Sequence, residues 1–180
     1  MMVFLRPDRP PGFLLEALGL PIKSKVLEAA LLKNGTWLIA TNLGLGVASE
    51  ASNVFHPWDQ IDRASVKRRG SVLALTYSGA TADEQFTIQP KDKRVASIIN
   101  ECLRASVVEV EHVKVPDGQV IVALRRRPTD QSLYLEEVPD AAVDMTEARP
   151  AVNAARQRLA EAAGIDPELP QPAASADNGD

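Results

Sequence analysis

The side chains with the widest chemical reach in this chain are two histidines and one cysteine, and their spacing limits what they can do. His56 precedes Asp59 and Asp62 within one short segment, so an imidazole and two carboxylates form the one local cluster suited to proton transfer. An enzyme would need a deep polar pocket holding these three together, with a further group to orient the base. The segment supplies no residue at dyad or triad spacing. His112 lies far from His56, and no CxxC, HxxxH or HExxH spacing occurs, so no metal site is expected. Cys102 falls on the apolar side of a helical pattern and reads as a small core hydrophobe rather than a nucleophile. Gly44-Leu45-Gly46 is too short to cradle a phosphate, and no GxGxxG, GxxxxGK[ST] or GxSxG pattern appears. The residues point to no catalytic group, no cofactor and a chain that is not an enzyme.

Charged and aromatic side chains offer binding instead. Lys67, Arg68 and Arg69 sit between two strand-like runs, at a hairpin tip that could touch an anionic surface. Each basic residue near such a surface contributes on the order of 1 kcal/mol, so three give only weak, salt-sensitive attachment. The plainer reading is a solvated turn. Arg125, Arg126 and Arg127 form the densest cationic run, with Glu136 and Glu137 on the neighbouring expected strand. Cross-strand pairing explains that run without a ligand, and alternation splits it between two faces. Contact with an acidic partner or a phosphate is the other reading. Trp58 either fills the wall of a small β-structure, its N–H seeking a buried acceptor, or meets a ligand at the surface; the wall is preferred.

The bulk numbers bound the class. The chain has 180 residues, 45% hydrophobic and 24% charged, enough for a soluble domain with a real core and a smaller annex. Its net charge of −4 resides in the last fifteen residues, where Asp166, Glu168, Asp177 and Asp180 meet no Lys or Arg, so the remainder is formally neutral. A neutral body lacks the long-range positive field that gathers phosphate backbones, so nucleic acid is not expected as a partner. A single cysteine excludes an internal disulfide and suits a reducing compartment. The N-terminus carries charges and prolines where a signal peptide would be apolar, and the uncharged run from Asn34 to Ser49 is too short for a bilayer. A cytoplasmic chain is expected.

These candidates must be positioned by a regular series of short elements. Residues 1–25 read as an arm with a short amphipathic turn, FLLEALGLP, that lids a core. From residue 26 the apolar period is two: VLEAALL, TWLIAT, LGVAS, NVFHPW, IDRASVK, SVLALTY and DEQFTIQ, separated by Asn-, Gly- and Ser-rich turns. Asn34-Gly35 is read as a tight hairpin turn with both residues at positive φ. KDKRVASIINECLRAS then places Val95, Ile98, Ile99, Cys102 and Leu103 on one helical face. Residues 107–164 read as an annex of three antiparallel strands with QVIVALRRR in the middle, then a helix. That helix runs from about Pro150 to Ala163, with Val152, Ala155, Leu159 and Ala162 inward. Residues 165–180 read as a disordered acidic tail.

Within residues 26–106, GTWLIATNLGL, FHPWDQI and FTIQPKDKRVASIINECL follow one another in an order that resembles a pleckstrin-homology-like domain of the GRAM and bacterial PH type. The layout as a whole resembles actinobacterial proteins. The resemblance implies an α+β fold: a small, strongly bent antiparallel barrel capped by its C-terminal helix, with Trp37 and Trp58 filling it. A three-stranded antiparallel sheet plus helix would follow. In eukaryotic relatives a basic cluster at the first hairpin coordinates phosphates; here that hairpin carries Lys33, preceded by Lys23 and Lys25. The implied function is a non-catalytic scaffold that binds another protein. The alternative is a peripheral membrane adaptor contacting anionic lipid head groups through Lys67, Arg68 and Arg69, with Phe13 and Leu14 as anchors.

Overall fold

A computed structural model describes residues 10–20, 24–49, 52–67, 71–77 and 82–167. Lys23, Arg68, Arg69 and most of the acidic tail lie outside the described residues. The chain is mixed α+β, built mostly of antiparallel sheet, and forms two compact units, Met1–Arg104 and Ala105–Asp180.

In the first unit, strands β1 (Val26–Leu31), β2 (Trp37–Thr41), β3 (Gly44–Ala48) and β4 (Asn53–Pro57) pair in sequence order as one four-stranded sheet. Strands β5 (Ile61–Lys67), β6 (Val72–Tyr77) and β7 (Glu84–Thr87) form a second, three-stranded sheet. Helix α2 (Lys93–Ser106) follows. Leu38, Ala40 and Leu45 of the first sheet, Leu73, Leu75 and Phe86 of the second, and Val95, Ile99 and Leu103 of α2 share one core. Alternation brings these residues together, since successive side chains point to opposite faces of a strand, and each fully buried aliphatic side chain contributes about 1.5–3 kcal/mol. The 3-10 turn Pro90–Asp92 that leads into α2 starts at a reciprocal cap in which the Gln89 backbone amide donates to Asp92 Oδ2 at 2.9 Å. The inward face of α2 is the expected one, with Ala96 joining it and Ile98 and Cys102 at its margins.

Two details of this unit differ from the sequence reading. Gly35 alone of the first turn takes a positive φ, +85°, and its N–H bonds the Leu32 carbonyl. Asn34 instead uses its side chain, accepting from the Thr36 amide at 3.2 Å, so the connection is a three-residue turn closed by a glycine bulge. Trp37 does not fill the space between the sheets. Strand β2 is buried on both faces, and Trp37 and Ile39 point outward to a separate cluster beneath helix α1 (Gly12–Ala17), joined by Leu14, Leu15 and Leu18. Gly46 admits that lid: a Cβ there would stand 2.7 Å from Leu18 Cδ1.

The second unit holds β8 (Val107–Val115), β9 (Gly118–Arg126) and β10 (Leu133–Pro139), with β9 central, and helix α3 (Met145–Ala163). Val120, Val122, Leu124 and Leu135 pack on Val152, Ala155 and Leu159. The helix begins a turn and a half earlier than Pro150 suggests. Asp144 is its cap, accepting from the Thr146 amide at 2.8 Å, and Ala148 is already buried. Pro150 lies inside, where it removes one N–H from the helical ladder. Ala160, not Ala162, takes the inward position near the end. Ile165, assigned to the tail, packs on this core, and its amide bonds the Ala160 carbonyl.

Candidate functional site

Most of the described candidate residues are already committed within their own unit. Trp58 is 2% exposed in the core of the first unit, and its indole N–H donates to the Thr41 carbonyl at 3.0 Å, so it offers no face to a ligand. Thr41 is fixed in turn by its hydroxyl, which donates to the Gly44 carbonyl and accepts from the Leu43 and Gly44 amides. Lys67 is exposed but occupied: its Nζ lies 2.6 Å from Asp83, whose other oxygen accepts from Thr76. The Lys67 and Thr76 hydrogen bonds hold that carboxyl below the usual carboxylate range. Arg125 is buried, bonding both oxygens of Glu136 from Nη1 and the Ser106 hydroxyl from Nη2. It cannot serve a surface partner. Arg126 is exposed. Arg127 is half-buried, bonds Ser132 Oγ and stands 5.6 Å from the Tyr134 ring centre. Glu137 turns to helix α3 instead, binding Arg149 and Arg156.

His56 has different neighbours from those its sequence position suggests. Asp59 is buried in a short 3-10 turn, Trp58–Gln60. His56 stacks on Tyr77, with ring centres 4.2 Å apart and planes 28° off parallel. The Tyr77 hydroxyl donates to Glu84 Oε2 at 2.7 Å. Register explains the meeting. Leu45 pairs with His56 and Val47 with Val54, which puts both β4 residues on the inner face of the first sheet. Leu73 pairs with Phe86 and Leu75 with Glu84, which puts Tyr77 and Glu84 on the inner face of the second. Polar groups therefore occupy positions that alternation would reserve for the core.

They line one side of a cleft of about 310 Å³ between the two sheets. Val47, Val54 and Phe86 give it apolar walls, while Asn34, Thr36, Ser49, Ser52 and Gln85 ring it with hydrogen-bonding groups. Val54 is 41% exposed although it sits on an inner face. Burial pushes the His56 pKa below its ordinary 6.5, opposed by the Glu84 charge. Burial, followed by the hydrogen bond to Glu84 and its charge, pushes the Tyr77 phenol up. Near neutral pH the imidazole is uncharged, the phenol keeps its proton and can only donate toward the carboxylate.

The sequence reading missed Tyr77 and Glu84, though one signal was available: Glu84 shares the alternation of Phe86 and Ile88, a charge on an apolar stripe. Among the described residues no group of three or more His, Cys, Asp or Glu side chains could hold a metal ion, and no helix is long and apolar enough to cross a membrane. Comparison with known proteins finds no matching family model, no matching curated protein and no matching solved structure.

Proposed function

We propose that the chain is a non-catalytic interaction module with a pleckstrin-homology-like first unit, and that the cleft beside β4 binds another protein. The strand order, four antiparallel strands then three then a helix sharing their core, supports the likeness. The exposure of Val54 carries the functional reading. An inner-face valine beside Val47 and Phe86 is left half open, and covering such a surface is what a partner's side chains do. Copurification from cells that make the protein should return a stoichiometric protein partner with the wild type and lose it with Val54→Arg. Retention by the variant, with its circular dichroism unchanged, would remove the cleft from the account.

A peripheral-membrane role is the second reading, and Phe13, 67% exposed on α1, favours it. Lys67 adds little to it, since Asp83 already neutralises its charge. Cosedimentation with phosphatidylserine vesicles at low salt decides: failure to pellet eliminates this reading and leaves the first, which carries a cytoplasmic location.

A further inference from the structure

We infer that the cleft of the first unit receives a basic side chain, lysine or arginine, from an extended segment of the protein partner, with the Glu84 carboxylate as its counter-ion. This rests on the protein-binding reading above and names the chemistry of the residue bound.

Charge makes the first selection. Among the described lining residues Glu84 is the one carboxylate, and neither Lys nor Arg faces the cleft. A phosphate or an acidic peptide would meet that carboxylate with no cation to offset it, a like-charge contact that rejects it. Geometry makes the second. The Tyr77 hydroxyl donates to Oε2 at 2.7 Å and so tethers the carboxylate at the end of the stacked His56–Tyr77 pair. A carboxylate tethered beside aromatic rings suits an ammonium or a planar guanidinium. Val47, Val54 and Phe86 match the aliphatic stem behind such a head group.

Size and strand order decide how the partner arrives. A volume of about 310 Å³ is at the lower limit of ligand pockets, room for a side chain rather than a folded element. Strands β4 and β7, which flank the cleft, are each the last strand of their sheet in the described structure. An extended segment can lie along such an edge through main-chain hydrogen bonds and send alternate side chains inward.

Selection of a random peptide library against the full chain tests this, with the Val54→Arg variant, whose bulk and like charge block the cleft to a cation, marking cleft binders as those it fails to hold. The expected peptides share one Lys or Arg, and lose about tenfold in affinity or more both on Glu84→Gln and when that residue is replaced by norleucine. Glutamine keeps the acceptor for Tyr77 and the shape of the side chain, so the loss reports charge. Cleft binders that share no cation, or that bind Glu84→Gln as well as wild type, overturn the inference and leave the protein-binding reading standing. No peptide blocked by Val54→Arg overturns both.

Discussion

The two units treat charged side chains beside a β-sheet core in opposite ways. In Ala105–Asp180 the acidic and basic groups close on one another: Arg125 grips Glu136 and Ser106, Arg149 and Arg156 share Glu137, and Arg158 binds Glu111. In Met1–Arg104 the surface has pairs of this kind, Lys67 with Asp83 and Arg94 with Glu28, but Glu84 stands on an inner face beside a cleft where, among the described residues, Tyr77 donates to it. A buried ion pair that satisfies itself fixes packing and offers nothing to a partner. A carboxylate at the mouth of a half-covered core retains capacity for one. The comparison teaches that a dense basic run can be consumed within its own fold, and that a single charge out of phase with its strand is the feature the binding proposal rests on.

The comparison breaks first at Arg125. Arg125→Ala strands Glu136 in a buried setting and is expected to destabilise the chain by about 3–5 kcal/mol in urea unfolding, whereas Arg125→Met combined with Glu136→Leu should come out near neutral. A single variant within about 0.5 kcal/mol of wild type would show that the pair is not buried in the way described. Gly44→Ala probes the other unit. Its Cβ would lie 2.3 Å from the His56 carbonyl oxygen, so the β3–β4 wall of the cleft must shift, at about 1–3 kcal/mol by the same measurement. Asp144→Ala removes the cap of α3 and is expected to lower stability by about 1 kcal/mol with the first unit's near-ultraviolet signal unchanged.

The smallest effect is one of pH. His56 has a folded pKa below 6.5, so below that pH the unfolded chain binds a proton that the folded chain does not. Stability contributed by neutral His56 is therefore present above about pH 6.5 and declines as pH falls toward the folded value. His56→Gln should flatten that part of the stability–pH curve; an identical slope in the variant would remove His56 from it.

Much of the fold was legible because alternation and turns are local. The strands from Val26 to Thr87, the helix through Ile99 and the central place of QVIVALRRR follow from residue order alone. Trp37 was not legible in the same way. Strand β2 is buried on both faces, so its pattern is silent on which face meets which layer, and α1 decides it. The start of α3 lies at Asp144-Met145-Thr146-Glu147, an acidic cap with a glutamate three residues on, a stronger local signal than the proline at 150. The candidate site was least legible. His56, Tyr77 and Glu84 come from three strands in two sheets, and only register brings them to one cleft.

Site-specific photocrosslinking tests the central claim most directly, with a benzophenone amino acid placed at Val54 in one preparation and at Arg126 in another. The open-cleft account expects the same protein partner to be trapped from position 54 and not from position 126. Capture from the arginine run alone, with position 54 silent in a folded variant, would contradict it.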